Sequence, residues 1–138
     1  MGGLDWSSDY SVNIPAIDNE HKLLISIIED ISQSMQHHSS LQVQLITGSL
    51  HRLSTYIRVH FESEERFLMF NNYPEFDVHK IQHTELLEKL IRFEERFKVE
   101  KMAFNEKMLL FLKDWLVRHI ILYDCKFGHY YSDKDLVT

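Results

Sequence analysis

Five of the nine histidines and two of the carboxylates in this sequence form a set that could do chemistry together. Imidazole nitrogens and carboxylate oxygens are ligands of transition-metal ions in proteins, so such a set could hold metal. His60 and Glu64 are four residues apart, as are His79 and His83, and in a helix each pair projects from one face. The complete set is His21, His60, Glu64, His79, His83, His119 and Asp124.

Apolar residues recur at alternating steps of three and four along most of the chain, a pattern typical of one helix face. Four glycines and two prolines are few, which favours long helices. We therefore predict one all-α domain over residues 1–138, an antiparallel up-down-up-down four-helix bundle with an N-terminal arm. The predicted segments are an arm at 1–17, helices at about 18–38, 41–70, 76–99 and 105–123, and a C-terminal tail. Asp18 is the predicted N-cap of the first helix.

The five histidines and Glu64 occupy positions on these stripes that should face the core. A lone core histidine is often hydrogen-bonded, but an unsatisfied buried polar group costs about 1–3 kcal/mol and a bare carboxylate costs more. His21 and His79 lie near the starts of their predicted helices, whereas His60 and His119 lie near the ends. The up-down-up-down order brings these positions to the same end of the bundle, which favours a metal site over scattered core histidines.

The position of Asp124 is less regular, because it follows His119 by five residues and an ideal helix would turn it off the stripe. Either a wide turn distorts the end of the fourth helix, or Asp124 reaches inward from the helix edge. Five imidazoles and two carboxylates are too many for one tetrahedral zinc and too rich in nitrogen for calcium or magnesium. Two adjacent transition ions bridged by the carboxylates fit the set best, with iron or manganese favoured.

These residues resemble the hemerythrin family, particularly its single-domain bacterial type. The resemblance spans the chain from Trp6 to about Asp124. It rests on Ile17–His21, His60–Glu64, His79–His83, Tyr73-Pro74 and His119–Asp124.

The resemblance implies a ligand assignment and a cofactor, which is two iron ions per chain with an oxo or hydroxo bridge. One iron would be held by His79, His83 and His119, and the other by His21 and His60. Glu64 and Asp124 would bridge the two ions.

The resemblance also implies reversible dioxygen binding at a non-haem di-iron centre, for oxygen transport, storage or delivery, and not an enzyme activity. Ferritin-like di-iron bundles use Glu-x-x-His pairs, which are absent from the stripes of this sequence. Two alternatives stay open: an oxygen or nitric oxide sensor that acts through a partner protein, and a di-iron oxidase or peroxidase. Residues near the ligands are predicted to line the oxygen pocket: Ile57, Trp115, Leu116 and Ile120.

Bulk properties exclude several classes of protein. The net charge of -6 argues against general affinity for nucleic acid. No apolar run approaches the roughly 18 residues of a membrane span, and the first residues lack a signal-peptide pattern. We expect a soluble cytoplasmic protein, monomeric or weakly oligomeric, whose partners are dioxygen and an oxygen-consuming enzyme.

The remaining histidines are expected at the surface: His37, His38, His51 and His129.

Overall fold

The structure is a computed structural model that describes residues 5–36, 41–100, 106–134 and 136. Within these described residues, a short 3-10 turn at Ser8–Tyr10 precedes five α-helices. These are α1 (Pro15–Ser34), α2 (Gln42–Phe70), α3 (Phe76–Glu100), α4 (Glu106–His119) and α5 (Cys125–Tyr130). A π-helical turn at Ile120–Asp124 joins α4 to α5.

The predicted all-α four-helix bundle is confirmed, since the described residues contain long helices and no strand. Helix α2 packs against α1 on one side and α3 on the other, and α1 also contacts α4. Among the described residues, none of the helices has the length and apolar character needed to cross a bilayer.

Two apolar clusters hold the bundle together. The larger lies between the four long helices and includes Ile28, Leu50 and Leu53, which are fully buried. Burying a side chain of this size stabilises the fold by about 1.5–3 kcal/mol. The smaller cluster joins the arm to α5 and includes Val12 and Phe127. The arm and α5 therefore close one end of the bundle.

The start of α1 differs from the prediction. The helix begins at Pro15, with Ile14 as its N-cap, because proline suits the first turn of a helix, where no backbone donor is needed. The prediction of Asp18 as N-cap was therefore wrong. Its carboxylate instead accepts hydrogen bonds from the Ser11 hydroxyl at 2.6 Å and the Val12 backbone N–H at 2.9 Å, which holds the arm against the helix.

The other helix ends lie close to the predicted bounds. Helix α1 ends at Ser34, before the predicted bound of 38, and residues 37 to 40 lie outside the described residues. The fourth predicted helix, 105–123, is divided into α4 and the π-helical turn. The predicted C-terminal tail contains α5, which the sequence analysis did not foresee.

Candidate metal centre

All seven residues of the predicted set lie together at one end of the bundle, and each is at most 3% exposed. Helix α1 supplies His21; α2 supplies His60 and Glu64; α3 supplies His79 and His83; and the end of α4 with the π-helical turn supplies His119 and Asp124. Outside this layer, His51 and His129 are exposed as predicted. His37 and His38 lie outside the described residues.

The π-helical turn places Asp124 over His119. The backbone N–H of Cys125 donates to the carbonyl of Ile120, five residues earlier, so the turn is one residue wider than an α-helical turn. A residue five positions further along then lies above the first, and Asp124 Oδ1 comes within 3.2 Å of His119 Nε2. Of the two arrangements that the sequence allowed, the wide turn is the one found.

The two oxygens of Glu64 face different histidines. Oε1 lies 2.8 Å from His79 Nε2 and 2.9 Å from His83 Nε2. Oε2 lies 3.3 Å from His60 Nε2 and 3.6 Å from His21 Nε2. The carboxylate thus lies between a pair of histidines from α3 and a pair from α1 and α2.

Asp124 divides its oxygens in the same way. Oδ1 lies 3.1 Å from His79 Nε2 and 3.2 Å from His119 Nε2, while Oδ2 lies 2.9 Å from His21 Nε2. Two groups of ligand atoms result, and all the atoms of one group lie within 4.8 Å of one another. Both groups contain Glu64 and Asp124. We call them the three-histidine group (His79, His83, His119) and the two-histidine group (His21, His60).

Many polar atoms of the site are buried without a hydrogen-bond partner. They are both ring nitrogens of His21 and His119, Nε2 of His60, Oε2 of Glu64 and both carboxylate oxygens of Asp124. Buried polar atoms are normally satisfied, so a converging set of this kind indicates a site built for cations. Ligand atoms at roughly 2.1 Å from one ion lie roughly 3 Å apart, close to the separations measured here. The residues therefore fit two metal ions.

The electrostatic balance of the metal-free site is set by the two carboxylates. Burial lowers the pKa of His60, but the nearby Glu64 and Glu20 outweigh it and raise the pKa to about 10. Burial likewise lowers the pKa of His79, while Asp124 and Glu64 raise it to about 10. Burial opposes ionisation of Glu64, yet the surrounding histidines hold its pKa well below the usual range. Without metal, protons on the histidines neutralise the carboxylates.

His119 behaves differently from these histidines. Burial lowers its pKa, and Asp124 and Glu64 do not overcome this effect. His119 is therefore neutral at pH 7, which is the form in which an imidazole binds metal.

Two carboxylates outside the predicted set orient the ligand histidines. Nδ1–H of His83 donates to Glu65 Oε2 at 2.8 Å, and Nδ1–H of His60 donates to Glu20 Oε1 at 2.6 Å. The Ser63 hydroxyl donates to the other oxygen of Glu20 at 3.0 Å. Such contacts fix the tautomer of a metal-binding histidine, leaving Nε2 free to bind. Sequence reasoning missed them, and the only signal was that each glutamate adjoins a member of the set.

Aromatic rings pack against the histidines from outside the site. The ring of Phe61 stacks on that of His83 with centroids 3.8 Å apart, and Tyr123 stacks on His119 at 5.7 Å. Phe127 meets His79 edge to face at 5.5 Å. These rings restrict the orientation of the imidazoles and reduce the access of water.

The four residues predicted to line an oxygen pocket are buried members of the larger apolar cluster. Ile57 and Ile120 are fully buried, and Leu116 and Trp115 are 2% and 7% exposed. The indole N–H of Trp115 donates to the Leu86 carbonyl at 3.3 Å. Their role as a pocket lining stays a prediction.

Comparison with known proteins assigns the family. The family model described as the hemerythrin HHE cation binding domain matches residues 12–122. This chain belongs to the hemerythrin family. The hemerythrin match covers α1 to α4 and ends two residues before Asp124, and the resemblance recognised in the sequence is confirmed. Membership of this family makes the chain a di-iron, oxygen-binding protein.

Individual hemerythrins align over most of their length. The bacteriohemerythrin of Campylobacter jejuni is 31% identical over 127 residues, covering 90% of this chain and 92% of its own. The myohemerythrin of Theromyzon tessulatum is 30% identical over 122 residues, 88% of each chain. A crystal structure of wild-type hemerythrin superimposes with a TM-score of 0.81 at 24% identity, over 91% of this chain and 95% of that one, which supports the fold.

Proposed function

We propose that this chain binds dioxygen reversibly at two iron ions, for oxygen transport, storage or delivery, without catalytic turnover. The observation that carries the proposal is the sharing of Glu64 and Asp124 between the two histidine groups. In this assignment the three-histidine group would hold one iron and the two-histidine group the other, with Glu64 and Asp124 shared between them and an oxo or hydroxo group as a further bridge. The two-histidine side has one protein ligand fewer, so it leaves room for a small ligand.

When bound, the iron pair supplies the two electrons that dioxygen takes up on binding and returns when it leaves. The protein keeps this exchange reversible by excluding water and reductants. In this proposal Ile57, Leu116 and Ile120, which are all buried, supply the apolar surface around the site. In such surroundings a change in net charge is costly, which favours a process in which the charge of the whole site stays constant.

The same site would also serve a sensor of oxygen or nitric oxide that acts through a partner, or an oxidase or peroxidase. A carrier is favoured over an oxidase or peroxidase because histidines make up most of the ligand set and each carboxylate oxygen already faces one of them. The cytoplasmic location, the oxygen-consuming partner enzyme and the weak or absent oligomerisation stay predictions from the sequence.

An optical titration tests the proposal. Iron-loaded protein is reduced without oxygen, exposed to air and then deoxygenated, with spectrum and iron content recorded at each step. We expect two irons per chain and a visible charge-transfer band that appears with air and disappears on deoxygenation. Direct oxidation to a stable ferric form, or continuous consumption of an added reductant, would overturn reversible carriage in favour of a sensor or an oxidase.

A histidine substitution tests the ligand assignment. His60→Ala should lower the iron content towards one per chain and abolish the oxygen-dependent band, because it removes half of the two-histidine group. His51→Ala is the matched control, since His51 lies on the same helix but is exposed. Two irons and full oxygen binding in His60→Ala would contradict the assignment even if the titration succeeds.

A further inference from the structure

A groove of about 690 Å³ lies between α3 and α4, towards the end of the bundle opposite the metal centre. On α3 it is lined from Lys89 to Phe97, and Phe97 lies 14 residues from His83, or about 21 Å along the helix. Binding sites for small molecules commonly enclose about 300–1,000 Å³, so the groove has the size of a ligand site.

The floor of the groove is apolar and partly aromatic. It is formed by Phe93, Phe97, Met108 and Phe111. The rings of Phe93 and Phe111 stack across the two helices, with centroids 5.5 Å apart and planes within 12°. Phe111 is nevertheless 43% exposed, so a large aromatic surface remains in contact with water. A flat, apolar ligand could cover this surface.

The rim of the groove carries only positive charge among the described residues. Its charged residues are Lys89, Arg92, Arg96 and Lys107, which are four of the fifteen lysines and arginines in a chain of net charge -6. Arg92 pairs with Glu88 at 3.8 Å, in an exposed pair that contributes little. Four cations around one groove create a positive local potential, which attracts anions.

We propose that this groove binds a small amphipathic anion, an aliphatic or aromatic carboxylate whose apolar part covers the Phe93–Phe111 pair and whose charged group lies among the rim cations. A second cleft of about 180 Å³ shares Lys89 and Phe111 with the groove and extends to Trp115 and His119. A ligand in the groove therefore lies next to the cleft that leads towards the metal centre.

Calorimetric titration of the iron-loaded protein with octanoate tests the proposal. Three comparison ligands each lack one feature of octanoate. Octanol has no charge, octylammonium has a positive charge in place of the negative one, and acetate has no long apolar chain. We expect octanoate to bind once per chain, and each comparison ligand to bind at least about tenfold more weakly. Acetate that binds as tightly as octanoate would indicate a simple anion or iron site, and equally tight octanol would indicate a purely apolar surface; either result overturns the proposal.

Variants locate the site. Lys89→Glu with Lys107→Glu reverses two rim charges, and Arg58→Glu with Lys80→Glu makes the same change in net charge on exposed positions elsewhere. Phe111→Ala removes part of the floor, and Leu110→Ala, its exposed neighbour, is the control. The rim and floor variants should weaken octanoate binding at least about tenfold, while the controls keep it. Equal binding in a variant and its control, with helix content unchanged, would place octanoate outside the groove.

Discussion

Glu65 on α2 accepts a hydrogen bond of 2.8 Å from Nδ1–H of His83 on α3, while Nε2 of the same ring lies 2.9 Å from Glu64. Two consecutive residues of one helix thus contact the two ring nitrogens of a histidine on the next. Because adjacent residues on a helix project about 100° apart, the imidazole of His83 spans the angle between them. Its tautomer and its orientation are both fixed from α2.

Glu65→Gln should weaken iron binding by about 10- to 100-fold, because loss of the negative charge lowers the basicity of His83 and loosens its ring. Competition with a chelator, followed by iron content, measures the effect. Glu62→Gln is the control, since Glu62 is an exposed residue of the same helix. Identical chelator resistance in the two variants would show that Glu65 does not position the ligand.

Glu20→Gln should have a comparable effect on the two-histidine side, because Glu20 accepts from His60 at 2.6 Å. Ser63→Ala removes only the hydroxyl that donates to the other oxygen of Glu20, so its effect should be smaller. The rate of iron release to a chelator distinguishes the two. A larger effect of Ser63→Ala than of Glu20→Gln would reject this order of contributions.

Removal of the metal should make stability depend on pH. The pKa values of His60 and His79 are raised to about 10 in the fold, above the usual 6.5, so their contribution is full below pH 6.5 and lost as pH rises towards 10. The pKa of Glu64 is lowered from its usual 4.5, so its contribution is present above that pH and lost on acidification. Stability of the metal-free protein should therefore be greatest between pH 4.5 and 6.5.

Thermal unfolding of chelator-treated protein from pH 5 to pH 10 tests this dependence. The Tm of the metal-free protein should fall steadily above pH 7. The iron-loaded protein is the comparison, and its advantage in Tm should grow over the same range because metal binds deprotonated histidine. A metal-free Tm that is constant or rises from pH 7 to pH 10 would contradict the proton balance described for the site.

Two glycine substitutions should have opposite effects on the free energy of unfolding. A Cβ at Gly128 on α5 would lie 2.9 Å from the Val12 carbonyl oxygen and 3.0 Å from Val12 Cα, so Gly128→Ala should destabilise by about 1–3 kcal/mol. A Cβ at Gly48 on α2 meets nothing within 4 Å, so Gly48→Ala should stabilise by about 0.5–1 kcal/mol. Chemical denaturation of the iron-loaded protein measures both, and a stabilising Gly128→Ala would contradict the close packing of the arm on α5.

The sequence was informative where a repeating pattern determines position. The alternation of three and four predicted the helices, and the location of His21, His60, His79 and His119 near their ends predicted one shared layer. Contacts that depend on the rotation of one helix against another were not predictable. A rotation of α2 about its own axis by a few tens of degrees decides whether Glu65 faces solvent or His83. The spacing of residues along a single helix does not define that rotation.

The sequence also did not predict where a backbone preference outweighs a side-chain preference at the start of a helix. Asp18 has the chemistry of an N-cap, but Pro15 allows the helix to begin earlier, and the carboxylate then holds the arm. The wide turn before Asp124 was one of two predicted arrangements, because a π-helical turn has no characteristic amino-acid composition.

The π-helical turn also determines which changes in chain length this segment can accept. Deletion of one residue between Ile120 and Tyr123 would allow a regular α-helix and would still leave an aspartate on the face of His119. Because that aspartate would keep its place over His119, the residues after it would keep their orientation as well. Phe127 would still meet His79, and Gly128 would still face Val12. We therefore expect this turn to tolerate the loss of one residue, whereas the loss of a second would rotate everything beyond it by about 100° and shift it by about 1.5 Å.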